Sequence, residues 1–150
     1  PYFKEEINIP TSIADFILLG SYWISPYILI SSQKTIPIPI IASCISINII
    51  GVFLHFASDA QKFFTLKLRK GLIEDGFFKK VRNTNYLGEI LIYISFALLS
   101  LNIIPFLVLA IFFFIVFLPR MYKKDKSLSK YESFSEYKNK TGLLFPKLNG

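Results

Sequence analysis

Long apolar runs alternate with blocks of lysine and arginine, and that alternation restricts what this chain can fold into. The apolar stretches cover about 12–30, 40–56 and 87–118, the last broken near Asn102 and Pro105. About 20 apolar residues suffice for a helix to cross the hydrocarbon of a bilayer. In that solvent a segment has to satisfy its own backbone polar groups, which selects helices over open strands. Hydrophobic residues make up 53% of the chain, with 16 Phe. Its mean hydropathy is +0.49, too apolar for an ordinary soluble domain of this length. The expected class is therefore all-α, a polytopic membrane protein forming one domain over 1–150. It would have two transmembrane helices, a basic connector, a Pro-split helical hairpin and a short C-terminal helical tail.

In chain order, residues 1–11 are polar and mixed and read as an interfacial arm. Lys4, Glu5 and Glu6 are not followed by a short apolar stretch and a cleavage site, so no signal peptide is read there. The sequence opens on Pro1 rather than Met, which leaves open whether residues precede it. Ser12 to Ile30 reads as one crossing, capped by Thr11 or Ser12, with Asp15 in its first turn. Pro26 predicts a kink or an early end. Tyr22, Trp23 and Tyr27 either mark an interface or pack. After a polar turn at 31–35, Pro37 and Pro39 open a second helix over Ile40 to Phe56.

That second helix carries Cys44, Asn48, His55, Asp59 and Lys62 at helical steps, so they fall near one face. Cys44 and Asn48 suit helix packing. For Asn48 and His55 a polar path toward a site is an equal alternative, and Asp59 and Lys62 are read as functional. Gly71 and Gly76 divide the block 59–84 into a helical extension, a turn and a connector. Residues 87–118 predict two segments of about 15 residues each, a hairpin turning at Asn102 to Pro105. A short helix around Ser133 to Lys140 is expected to pack back on the domain.

Of 17 Lys and Arg residues, seven lie in 59–84 and eight in 119–150. A net charge of +7 would suit nucleic acid, but these cations flank apolar spans. Membrane orientation is the better reading, with the bilayer and not nucleic acid as the partner. Both blocks are expected on the cytoplasmic side, with 31–36 and 102–105 opposite and the N-terminus returned to the cytoplasmic side. The endoplasmic reticulum or another organelle membrane is the expected setting. A single cysteine, Cys44, excludes an internal disulfide and a Cys-based zinc site, and a single histidine, His55, excludes a His-rich metal centre.

The segment Arg82-Asn83-Thr84-Asn85-Tyr86-Leu87-Gly88-Glu89 joins the first basic block to the apolar hairpin. A carboxylate at a membrane boundary calls for a partner or a function, which draws attention to Glu89. Arg82 precedes Asn85 and Glu89 by three and seven positions, so a helical start places all three on one face. Asn85 also suits the N-cap of the hairpin's first helix, with capping and ligand binding left as even alternatives. Many cations and few acids at one end suit a phosphate-bearing or carboxylate-bearing ligand. No dinucleotide-binding glycine fingerprint, P-loop, Ser-His-Asp or metal-ligand spacing is present.

Further motifs follow in a recognisable order. They are Asp59-Ala60-Gln61-Lys62, Gly71, Gly76-Phe77, the Arg82–Glu89 segment, Pro119-Arg120-Met121, Lys124 to Ser129, Glu136-Tyr137-Lys138 and Phe145-Pro146. Together they resemble the membrane-embedded steroid 5-alpha-reductase C-terminal family, over about residues 40–148. Its superfamily also holds sterol reductases and isoprenylcysteine carboxyl methyltransferases. The family motif reads Arg-His/Asn-Pro-Asn-Tyr-x-Gly-Glu, and Thr84 departs from it at the proline. The resemblance implies a cofactor-binding module for NADPH in reductases, or for S-adenosylmethionine in methyltransferases. It implies that Asn85, Tyr86 and Glu89 line the pocket and that Asp59 and Lys62 face it. Arg82, Arg120 and Asp125 would contribute charge, and Tyr137 would close the pocket.

Three functions are expected in order. The first is a membrane oxidoreductase that reduces a lipid or sterol double bond with NADPH. The second is an S-adenosylmethionine-dependent membrane methyltransferase. The third is a non-catalytic membrane subunit that keeps the fold to pack against other subunits. Upstream of the motif only Asp15, Tyr22 and Tyr27 offer candidate substrate contacts.

Overall fold

The structure, a computed structural model, describes residues 9–21 and 23–147. Among them seven α-helices follow one another: α1 Ile9–Ser21, α2 Ile24–Ser32, α3 Ile38–Leu68, α4 Thr84–Leu99, α5 Ile104–Phe112, α6 Leu118–Leu128 and α7 Phe134–Lys140. A 3-10 turn covers Gly76–Phe78, and a π-helical turn at Phe113–Phe117 joins α5 to α6. An isolated parallel bridge, Val81 to Gly142, is the one strand-like pairing among the described residues.

The first predicted crossing is divided. Helix α1 ends at Ser21 and α2 starts at Ile24. The break therefore comes before Pro26, which sits in the first turn of α2, where a missing N–H matters little. Ser12 lies inside α1 rather than at its cap. Residues 1–8, Tyr22 and the side chains of Thr11 and Asp15 lie outside the described residues.

Two helices are long and apolar enough to cross a bilayer, Ile38–Leu68 and the continuous run Ile104–Leu128. Only 11% and 17% of their most apolar windows are buried inside the protein. A core helix of a soluble protein would be mostly covered. Helix α3 instead exposes Ile41, Ile45, Ile49, Phe53 and Phe56 and buries Cys44, Gly51 and Ser58. Such inverted polarity, with small and polar residues inward, suits lipid surroundings. Pro37 and Pro39 stand at the start of α3 as expected, the former as N-cap.

The inward stripe of α3 is the seam against α4. Asn48 donates to Ser95 Oγ at 2.9 Å, so its role is to join the helices. At Gly51 a Cβ would lie 2.8 Å from Gly88 O, and at Gly88 one would lie 2.6 Å from Gly51 O. Both glycines are needed for the backbones to approach this closely. The pairings run antiparallel, Asn48 with Ser95 and His55 with Asn85. The start of α3 and the turn after α4 thus share one end, while the connector and the tail gather at the other. That arrangement matches the expected hairpin and the expected meeting of the two basic blocks.

The hairpin turns at 100–103, where Leu101 takes a positive φ of 48° and Asn102 Oδ1 accepts from Ile104 N at 2.9 Å. Its second arm runs past the predicted end to Leu128. Pro119 is accommodated because the π turn precedes it. A proline ring clashes with the carbonyl four residues back, here Ile115, and widening the helix over Phe113–Phe117 relieves this. The wider turn also seats Phe117 in the core, edge-on to Tyr86 at 5.6 Å and beside Tyr93 at 6.0 Å.

Candidate functional site

At the basic end, the connector 69–83 is held on both sides. From α3, Gln61 donates to Asp75 O at 3.1 Å and accepts from Phe77 N at 2.9 Å. Gly76 beside it takes a φ of +55°, which favours glycine. From the tail, Tyr137 donates to Phe78 O at 2.7 Å, and Arg82 N donates to Gly142 O at 3.0 Å. Burial pushes the Tyr137 phenol up to about 12.

Arg82 is the centre of this clamp. Its Nε and Nη2 donate to Asp125 at 3.2 and 3.1 Å, a bidentate pair in which both side chains are 6% exposed. Its Nη1 donates to Thr141 O at 2.6 Å, with Thr141 Oγ1 and Lys138 O also in reach. Arg82 and Asp125 therefore act as internal partners that tie the connector to α6 and the tail. Asn83 and Thr84 serve the same joint. Asn83 Nδ2 donates to Leu143 O at 3.1 Å. Thr84, in place of the family proline, starts α4 and donates its hydroxyl to Phe77 O at 2.6 Å.

Asn83, not Asn85, occupies the N-cap of α4, and its side chain makes no capping bond. Arg82 consequently lies before the helix rather than on one helical face with Asn85 and Glu89. Asn85 is left with a buried Oδ1 that no donor reaches, as is Asn83. Its backbone carbonyl lies 3.2 Å from His55 Nδ1.

Glu89 accepts from Tyr93 Oη at 2.5 Å and stands within electrostatic reach of His55, Arg120 and Asp59. Lys124 donates to Arg82 O at 2.8 Å, lies 5.4 Å from the Phe78 ring centre, and has Lys62, Asp59 and Asp125 as charged neighbours. A cavity of about 180 Å³ opens here, with Lys62, Arg82, Lys124, Lys130, Tyr131 and Tyr137 on its wall. Lys62, Arg82 and Tyr137 are the expected site residues that face it. Asp59, Glu89 and Arg120 form the adjoining charged group. Tyr86 packs on Phe117 in the core, away from the cavity wall.

The tail tyrosines are expected at a half-buried polar cavity from the sequence, and Tyr131 stands on this one, whereas Lys124 and Lys130 are not among the expected site residues. Lys124 was reachable, because Arg120 and Lys124 stand four apart on what proves to be one helix. Lys130 carries no local signal of this kind.

Fold and site together define an all-helical protein with two helices of membrane-crossing length and a cation-lined cavity at one end. The family described as Protein of unknown function (DUF1295) matches residues 16–141. The chain belongs to that family. Comparison with curated proteins and with solved structures gives no match.

Proposed function

We propose that this chain is a membrane oxidoreductase of the steroid 5-alpha-reductase type, using NADPH to reduce a double bond of a lipid. The observation that carries the reading is the cavity lined by Lys62, Lys124 and Lys130 together with Tyr131 and Tyr137. Lysines around a cavity with tyrosine walls suit phosphate groups on a ring-bearing molecule. The cavity is smaller than the roughly 300–1,000 Å³ of a pocket for a drug-sized ligand, so it would seat one charged end of the cofactor. The order of motifs from Asp59 to Pro146 supports the same family-level reading. When bound, NADPH supplies a hydride, and the protein's part is to orient its nicotinamide and exclude water.

A second reading has its own support. Arg82, Asn83 and Thr84 all serve the joint between connector and tail. A motif retained for folding alone would fit a non-catalytic membrane subunit. Thermal unfolding of the detergent-purified chain separates the alternatives. NADPH at a hundredfold over its Kd would stabilise the protein by about 2.7 kcal/mol. Stabilisation by S-adenosylmethionine alone would move the assignment to a methyltransferase. No response to either would favour the subunit.

A further inference from the structure

The outward apolar stripe of α3 does not stop at its first charged residues. Asp59 and Lys62 follow Phe56, yet Phe63 and Phe64 beyond them are 45% and 61% exposed. Lys67 follows these two rings by four and three positions, so it shares their side of the helix, and it is exposed. The second span repeats the pattern. Its exposed Ile111, Phe114 and Ile115 lead to an exposed Tyr122, and the exposed Lys126 comes four positions later.

Helix length sets the depth of these residues. A bilayer is about 30 Å thick in hydrocarbon and about 40–45 Å with its headgroups. At about 1.5 Å per residue, Ile38 to Phe64 covers about 39 Å and Ile38 to Lys67 about 44 Å. With the exposed Ile38 at the opposite edge, Phe63 and Phe64 lie in the interfacial layer, where aromatic rings gather, and Lys67 lies among the headgroups. Ile104 to Tyr122 covers about 27 Å, close to the hydrocarbon thickness, and Lys126 stands about 6 Å further on. The two ends stand side by side, because Lys62 of α3 and Lys124 of α6 are charge neighbours. Three acids of this end are engaged elsewhere: Asp125 with Arg82, Asp75 with Arg69, and Asp59 in the group around Glu89.

We propose that Lys67 and Lys126 form a docking surface for anionic phospholipids of the leaflet at the basic end. Each lysine meets a negatively charged headgroup, while Phe63, Phe64 and Tyr122 rest against the top of the acyl chains. Charge complementarity selects an anionic lipid over a zwitterionic one, and the aromatic rings select a lipid over a free anion. Neither lysine lines the cation-lined cavity, so the surface stands whether or not that cavity takes NADPH.

The test places the whole chain in phosphatidylcholine vesicles with a trace of spin-labelled phospholipid. Electron spin resonance then separates lipid held at the protein from lipid in the bulk. Phosphatidylglycerol is expected to associate about fivefold more strongly than phosphatidylcholine, the equivalent of about 1 kcal/mol for one lysine near a membrane surface. In 1 M sodium chloride, where the screening length is about 3 Å, the preference should fall below about twofold. The double variant Lys67→Gln with Lys126→Gln should lose most of the preference at low salt. Lys140→Gln, which removes a cation already paired with Glu136, should keep it. Inorganic phosphate should displace no more labelled lipid than sodium chloride of equal ionic strength. Equal association of the two lipids, a preference that survives 1 M salt, or one unchanged in the double variant would overturn the proposal. Displacement by inorganic phosphate beyond the chloride control would reassign the site to a free anion and overturn it as well. The lipid and salt comparisons need no variant, so a double variant that fails to fold leaves the test intact.

Discussion

Removing either partner of the Arg82–Asp125 pair is predicted to destabilise the protein severely, and removing both by less than the sum of the two single effects. In Asp125→Leu the guanidinium stays about as enclosed as its present 6% exposure but loses two of its acceptors. Breaking a buried pair from one side costs about 3–5 kcal/mol, because a charge is left without compensation. Arg82→Met leaves the Asp125 carboxylate in that position and also releases Thr141 O, held at 2.6 Å. It should therefore be the worse of the two single variants. The double variant buries no charge at the pair and should recover at least about 1 kcal/mol relative to the sum of the singles. Denaturant titration in detergent, followed by circular dichroism, gives the four values of the cycle. Strict additivity would refute the clamp. So would Arg82→Met with unchanged stability and lost NADPH binding, since Arg82 would then be a ligand contact.

Three further outcomes follow from other parts of the structure. Gly88→Ala places a Cβ 2.6 Å from Gly51 O and should cost about 1–3 kcal/mol in the same titration. Gly20→Ala, with nothing within 4 Å, should stay within about 0.5 kcal/mol. Asn48→Leu removes the bond to Ser95 and should cost roughly 0.6 kcal/mol, and at most about 1.7. For Tyr137 burial raises the folded value to about 12 above the ordinary 10. The stability it contributes is complete below pH 10 and is lost as pH rises toward 12. Stability measured across that window should fall in the parent and fall less steeply in Tyr137→Phe.

Much of the fold is legible because it is local. The spacing of Cys44, Asn48 and His55 marks one face of α3, Asn102 and Pro105 mark the hairpin turn, and the charge blocks mark the end where connector and tail meet. The break between Ser21 and Ile24 is not legible, since Pro26 is the stronger local signal and merely sits in the next helix's first turn. The run through Pro119 is hidden too, because it depends on a π turn whose residues, Phe113–Phe117, look like any apolar helix. Arg82 shows the larger limit. Its partners Asp125 and Thr141 lie far along the chain, and no spacing rule connects them. Sequence reasoning could therefore place Arg82 near the site without seeing that its donors are already engaged inside the protein.

The central claim is that the cation-lined cavity at the basic end holds NADPH. Calorimetric titration of NADPH into the detergent-purified chain and its Lys62→Ala variant tests it directly. Lys62 is exposed and lines the cavity, so its removal should leave the fold intact. The account predicts saturable one-site binding in the parent and binding weakened at least about fivefold in the variant, the equivalent of one exposed ionic contact of about 1 kcal/mol. Absence of saturable binding in the parent, or identical binding in the variant, would contradict it.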